Sequence, residues 1–275
     1  MKFSERIGAV RRVLQKESMD DSLKNALWNV MYQRFWSRYG KDLSQWAADV
    51  REGQLLRSLW SDHFYQPADE ALTKFPGVLS QVKERYVVAN WWDVYDFIEF
   101  VVNYTSEWEC NDPLIAEFNA VLEKHVSAYR FVGTTLAPIT SEEEITAVEQ
   151  AMSHGGQFKP VVAHLETALA RLADRSSPDY RNSIKESISA VEAVCQIITG
   201  DPNATLGQAL KKIGIHPALE KGFSAIYGYT SDAEGIRHAL STESTIDADD
   251  AKFFLVSCSA FINYLIAKST GHQSD

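Results

Sequence analysis

Arg237 and His238 are the neighbouring residues in this 275-residue chain with the clearest capacity for chemistry. A neutral imidazole takes up a proton near physiological pH, and a guanidinium holds a phosphate or stabilises developing negative charge. Metal-free RNA cleavage needs both, because the ribose 2′-hydroxyl must be deprotonated and the phosphorane stabilised. The pair lies in the polar stretch YGYTSDAEGIRHALST, residues 227–242, which predicts a loop between helices.

A structural role for the same pair is the alternative that the spacing leaves open. Consecutive side chains point in different directions, so the two residues need not act on one atom. In that alternative Arg237 forms a salt bridge with Glu234 or Glu243, and His238 caps a backbone group.

Motifs typical of other chemistries are absent from the sequence, which contains no Walker A loop, GxGxxG, HExxH or GxSxG. The acidic run 142–144 follows two overlapping capping boxes and predicts a helix start, where carboxylates complement the helix dipole. His154 and His164 have no paired carboxylates at metal-ligand spacing. We therefore expect neither a metal nor a cofactor.

The helix predicted over Ser177–Thr199 is the element that must position any partner of the 227–242 loop. Ser177 can cap its start, Pro178 suits the first helical position, and Gly200 follows its end. Apolar residues recur at steps of four and three, namely Ile184, Ile188, Val191, Cys195 and Ile198. The opposite face is polar and carries Arg181, Asn182, Lys185, Glu186, Glu192 and Gln196. Solvent covers this face, or part of it lies beside the loop.

The last predicted helix begins after Asp247 and has the apolar pattern of a core element. Its apolar residues stand at helical offsets and are Ala251, Phe254, Leu255, Cys258, Phe261, Ile262 and Leu265. Together with the central helix, it predicts a helical C-terminal domain.

The first part of the chain is rich in aromatic residues and in helical periodicity. All seven Trp lie before residue 110. They either form base-stacking or ligand-binding surfaces, or fill the core of a helical domain, and their position on apolar stripes favours the core. The stretch AYRFVGTTLAPI, residues 128–139, predicts a short β-hairpin. We therefore predict an all-α protein with two helical domains, 1–126 and 141–275, joined by a hairpin over 127–140.

Composition limits the classes of partner. A net charge of −10 excludes a surface coated for nucleic acid, so any RNA contact must be confined to a local basic cleft. The three cysteines are far apart in sequence and predict core residues of a reducing compartment. Without the apolar core of a signal peptide or an apolar run of membrane-spanning length, we expect a cytoplasmic protein with no membrane contact.

Two stretches resemble known families. The segment FSERIGAVRRVLQKESMDDSLKNALWNV begins a region, 3 to about 110, that resembles the N-terminal domain of AbiJ-like abortive-infection proteins. PDYRNSIKESISAVEAVC, YGYTSDAEGIRHAL and DAKFFLVSCSAFINYLI, within 177 to about 268, resemble a HEPN-type domain. This second resemblance implies an antiparallel helical bundle that forms a homodimer and cleaves RNA without a metal in antiphage defence. The N-terminal domain would then meet a protein trigger or regulator.

The HEPN resemblance also implies roles for single residues. His238 would be the general acid/base, Arg237 and Arg181 would act on the phosphate, and the residues contacting the substrate would be Asn182, Glu186 and Tyr229. The family's motif is incomplete, because residues 242–244 are Thr-Glu-Ser where a second His is expected after Arg237. If His238 is instead the motif's His, the stretch 227–231 lacks the preceding Arg. The alternative function is a catalytically degenerate HEPN-like dimerisation module that binds RNA, a nucleotide or a protein.

Overall fold

Helices form nearly all the regular structure of the residues described by this computed structural model. These are residue 3 and residues 13–108, 111–174, 177–232 and 246–271, with the side chains of 229–232 and 270–271 left out. The described part contains 11 α-helices and a single two-stranded sheet, so the predicted all-α class is confirmed. The chain divides into two compact units, Met1–Leu136 and Ala137–Asp275.

The described part of the first unit contains five α-helices. They are α1 (Asp21–Met31), α2 (Arg51–Ser58), α3 (Phe75–Val88), α4 (Trp91–Tyr104) and α5 (Asn111–Lys124). Two of them continue into π-helical turns, α1 through Tyr32–Trp36 and α2 through Leu59–His63. Local capping fixes the start of α1, where the Asp20 carboxylate accepts the Leu23 N–H at 2.7 Å.

Large aromatic side chains fill the core of the first unit. Trp28, Trp36 and Trp60 are buried, so the core interpretation of these tryptophans is confirmed. Trp92 is 49% exposed, whereas its neighbour Trp91 packs against the core. The two adjacent indoles therefore do not share one core position, as their spacing requires.

The predicted β-hairpin is confirmed. Its strands are β1 (Arg130–Val132) and β2 (Thr135–Ala137), joined by a turn in which Gly133 has φ 57°. The Asn119 side chain secures β1 to α5, because its Oδ1 accepts the Phe131 N–H at 2.8 Å and its Nδ2 donates to the Phe131 carbonyl. The border between the two units falls inside this hairpin segment.

The second unit is a bundle around one helix. Its helices are α6 (Glu142–Met152), α7 (Lys159–Ala173), α8 (Tyr180–Thr199), α9 (Leu206–Ile213), α10 (Pro217–Asp232) and α11 (Ala248–Gly271). The central helix α8 packs most extensively against α7 and α11, and it also contacts α9 and α10. Its predicted apolar stripe is buried from Ile184 to Cys195. Gly200, at φ 66°, ends it in the left-handed conformation that glycine adopts readily.

The start of α8 differs from the predicted one. Asp179 is the N-cap and accepts the Asn182 N–H at 3.2 Å, so Ser177 does not cap the helix and Pro178 is not its first residue. The Ser177 N–H donates to the Asp174 carboxylate at 3.1 Å, and Asp179, which is itself a residue type favoured at the N-cap, lies two positions further along. The Asp179 carboxylate satisfies a free N–H group of the first turn.

The polar face of α8 is not fully solvated, contrary to one of the two predicted arrangements. Only Asn182 and Lys185 are exposed along the helix, and Glu192 and Gln196 are half-buried. At Glu192 the covering element is α10, whose Tyr227 hydroxyl donates to Glu192 Oε1 at 2.5 Å.

The last helix, α11, carries the predicted stripe, and every residue of the stripe is buried. By length and composition alone its residues Ala248–Ser269 are long and apolar enough to cross a membrane, in contrast to the prediction that no apolar run reaches that length. Half of that stretch is buried inside the bundle, as in the core helix of a globular domain.

Candidate functional site

Arg237 and His238, the pair predicted to carry the chemistry, lie outside the described residues, and the side chain of Tyr229 does as well. The structure describes the helices on either side of this pair, α10 up to Asp232 and α11 from Ala248. The candidate site therefore rests on the residues of α7 and α8.

An imidazole and a carboxylate meet between these two helices. His164 on α7 and Glu186 on α8 are joined by a hydrogen bond of 2.6 Å between Nδ1 and Oε2. Their side chains are 39% and 25% exposed, so solvent and a substrate can reach the pair. An imidazole held at one nitrogen by a carboxylate has a fixed orientation, which leaves its other nitrogen free to face a substrate.

A second polar cluster lies where α8 begins. Arg171 Nη1 lies 3.4 Å from Asp179 Oδ2, and Asn182 Nδ2 donates to the same oxygen at 2.7 Å. Arg171 on α7 thus meets Asp179, the N-cap of α8, and His164 meets Glu186 about two turns further along α8, which shows that the two helices are antiparallel. We call these five residues, His164, Arg171, Asp179, Asn182 and Glu186, the α7–α8 strip.

The predicted site residues on α8 divide between two faces. Asn182 and Glu186 stand one turn apart on the face toward α7, so the structure brings them together in the strip. Arg181 is half-buried and stands about 140° around the helix from Glu186, on the side of Glu192. Within the described residues, therefore, Arg181 does not join the two others.

His164 is not among the site residues predicted from the sequence, because the sequence shows no carboxylate at metal-ligand spacing from it. A signal was available in the spacing of charged residues. His164 and Arg171 are seven apart on α7, and Asp179 and Glu186 are seven apart around α8. Two antiparallel helices with matching intervals can pair both sets at once, provided that they are in the correct alignment.

The buried thiols are unsuited to nucleophilic chemistry. Burial raises the pKa of both Cys195 and Cys258 to about 12, so neither forms a thiolate at neutral pH. Both are core residues, as predicted, while Cys110 lies outside the described residues. In the part of the chain that is described, no three His, Cys, Asp or Glu side chains are grouped so as to hold a metal ion.

Comparison with protein families identifies the N-terminal part of the chain. Residues 1–154, more than half of the 275, match the model of AbiJ N-terminal domain 4. The chain belongs to the AbiJ N-terminal domain 4 family. The AbiJ domain associates the protein with abortive-infection defence. The match confirms the resemblance predicted for residues 3 to about 110 and extends it through the hairpin and α6.

The C-terminal part has no such support. No curated protein matches the chain, and no solved structure matches it. The HEPN-type resemblance of residues 177 to about 268 stays a prediction.

Proposed function

We propose that this protein is an abortive-infection effector whose C-terminal unit cleaves RNA without a metal ion. The observation that carries the proposal is the 2.6 Å bond between His164 and Glu186 in a solvent-reachable position. Such a pair is suited to removing a proton from a hydroxyl, because the carboxylate holds the imidazole in one orientation toward the substrate.

In this proposal His164 deprotonates the ribose 2′-hydroxyl, which attacks the adjacent phosphorus. The 5′-oxygen leaves and takes up a proton, and a 2′,3′-cyclic phosphate remains. Arg171 lies two turns, or about 10 Å, along the strip and binds a neighbouring phosphate of the same strand. Glu186 orients the imidazole, and Asn182 contacts the ribose.

His238 and Arg237 complete the proposal from the connection between α10 and α11. His238 would protonate the leaving 5′-oxygen, and Arg237 would stabilise the negative charge of the phosphorane, while Arg181, on the Glu192 side of α8, would bind another phosphate of the strand. A HEPN-like homodimer through the C-terminal unit would bring two copies of these residues into one local basic cleft. This fits a chain with a net charge of −10, whose surface as a whole repels RNA.

A second candidate function is a binding module without catalysis, and one observation favours it. Asn182 is already engaged by the N-cap Asp179, and Glu192 is engaged by Tyr227. Hydrogen bonds of this kind are explained by stabilisation of the bundle alone, without a catalytic role. Under this alternative, the C-terminal unit binds RNA, a nucleotide or a protein and leaves it unchanged.

Cleavage of total tRNA and rRNA by the full chain in EDTA tests the proposal. We expect cleavage that falls at least about 100-fold in His164→Ala and in His238→Ala, the usual effect of losing a general acid or base. The matched control is His154→Gln, because His154 pairs with the neutral Asn263 at 3.3 Å rather than with a carboxylate. Cleavage unaffected by His164→Ala, or absent over a wide protein range, would favour the binding module.

A further inference from the structure

The first unit contains an open cleft that the proposed function does not use. It lies between the π-helical turn that continues α2, the end of α3 and the start of α4. Together with the solvent at its mouth, the cleft has a volume of about 1090 Å³. Charged, aromatic and aliphatic side chains line it, chiefly His63, Tyr65, Arg85, Val88, Asp93 and Asp96. Such mixed linings are typical of recognition sites.

Negative charge exceeds positive charge in this cleft. Asp93 and Asp96 contribute two carboxylates from the same side of α4. Among the described residues that line the cleft, Arg85 has the one guanidinium, which donates to Gln66 Oε1 at 2.6 Å and lies 5.8 Å from the centre of the Trp60 ring, so the protein itself holds it in place. Burial lowers the pKa of His63, which keeps its imidazole neutral at pH 7.

The carboxylates of α4 are crowded. Partial burial and the neighbouring Asp93 raise the pKa of Asp96. Burial, opposed by the hydrogen bond from the Leu136 N–H and aided by the charge of Asp96, raises the pKa of Glu99 one turn further along. A cation placed in the cleft would relieve this repulsion, because it favours the ionised carboxylates.

The rim of the cleft is apolar and exposed. The side chain of Tyr65 is 85% exposed and that of Val88 is 79% exposed. The backbone of Tyr65 has φ 52°, a left-handed conformation that disfavours residues other than glycine. An exposed ring held in a disfavoured conformation contributes nothing to the core, which points to a role in contact with another molecule.

We propose that the cleft receives an arginine side chain presented by a partner protein. The Tyr65 ring would stack on the planar guanidinium, while Asp93 and Asp96 would accept its N–H groups. Apolar neighbours of that arginine in the partner would contact Val88. Arginine fits better than lysine because its flat guanidinium both stacks and forms paired hydrogen bonds with carboxylates. Complementary charge is what selects this occupant over an anionic one.

The test measures binding of the full chain to a fluorescent peptide of alternating leucine and arginine. A matched peptide carries citrulline, which keeps the shape of arginine and lacks its charge. We expect the citrulline peptide to bind at least about tenfold more weakly, since charge-assisted hydrogen bonds are lost. Spermidine, a free polyamine, should compete only weakly, because it cannot stack as a planar group.

Two variants and a control assign the binding to the cleft. Asp96→Asn should weaken peptide binding about fivefold. Tyr65→Gly should weaken it about threefold without unfolding the unit, since glycine suits the backbone at this position. Asp69→Asn makes the same charge change at an exposed residue outside the lining and should change nothing.

Four results would overturn the proposal. These are no peptide binding up to about 1 mM, equal binding of the citrulline peptide, wild-type affinity in both cleft variants, and tighter binding of spermidine than of the peptide. The RNA-cleavage assay does not involve this cleft, so this proposal can fail while the proposed function stands.

Discussion

The imidazole of His63 packs among the aromatic rings of Phe64, Phe97 and Phe100, with its ring centre 5.4 Å from that of Phe97. Burial is the largest effect on its pKa, and it outweighs the attraction of Asp93, so the pKa lies below the ordinary value of 6.5. The imidazole of His63 is therefore harder to protonate in the folded protein than in the unfolded chain.

The lowered pKa of His63 makes the free energy of unfolding depend on pH. As the pH falls below about 6.5, the unfolded chain protonates at this position before the folded one, so stability is lost. Asp96 and Glu99 act in the opposite sense, because their raised pKa values let the folded state bind protons first. We expect His63→Phe to gain stability relative to the wild type as the pH is lowered from 7.5 to 5.5.

Tryptophan fluorescence during thermal unfolding measures this effect, since all seven Trp belong to the N-terminal part of the chain. His216→Gln, at an exposed position in the second unit, is the control and should keep the pH profile of the wild type. A constant difference in melting temperature between His63→Phe and the wild type at all pH values would show that His63 does not carry the effect.

Asp179 has two roles at the start of the helix α8. It caps the helix through the Asn182 N–H and also pairs with Arg171. Since Arg171 is half exposed, with 51% of its side chain accessible, that pair is screened by solvent and contributes little. The cap should supply most of the stabilisation.

Comparison of Asp179→Ala with Asp179→Ser separates the two roles. Loss of the cap in Asp179→Ala should lower the free energy of unfolding of the second unit by about 1 kcal/mol. Asp179→Ser keeps a capping oxygen without the charge and should lose only a few tenths of that. Chemical denaturation followed by far-ultraviolet circular dichroism measures both, and equal losses would assign the stabilisation to the ion pair instead.

The elements also show what sequence periodicity can and cannot predict. The stripe of α8 and that of α11 were predictable, because burial at steps of three and four leaves a direct pattern in the sequence. The N-cap of α8 was not predictable, because Ser177 and Asp179 are both residue types favoured at N-caps and stand only two positions apart, so the sequence pattern does not decide between them.

Helical spacing also made part of the candidate site predictable. Asn182 and Glu186 lie on one face because they are one turn apart, which spacing alone gives. His164 joins them only through the alignment of α7 against α8, and that alignment depends on the packing of the whole bundle. The roles of Arg237 and His238 stay predictions, since they lie outside the described residues.

For the whole molecule, the acidic charge sets how RNA can bind. With a net charge of −10, the proposed contact is limited to a few arginines in one cleft. If Arg171, Arg181 and Arg237 each neutralise one phosphate, the logarithm of the binding constant for single-stranded RNA should fall with the logarithm of salt concentration with a slope of roughly −2.

Fluorescence anisotropy at several salt concentrations measures this slope, with non-cleavable 2′-deoxy substrate of the same sequence. Arg171→Gln should reduce its magnitude by about 0.7, the contribution of one phosphate contact. Arg57→Gln, in the first unit, should leave the slope unchanged. A slope far steeper than this would indicate an extended binding surface and would contradict a local cleft.

The chemistry of the RNA ends tests the central claim most directly. Attack by the 2′-hydroxyl, activated by the His164–Glu186 pair, leaves a 2′,3′-cyclic phosphate on one fragment and a 5′-hydroxyl on the other. Mass spectrometry of fragments produced by the full chain in EDTA should detect these two ends, and His164→Ala should abolish them. Fragments with 5′-phosphate ends, or RNA that stays intact with the wild-type protein, would contradict the account.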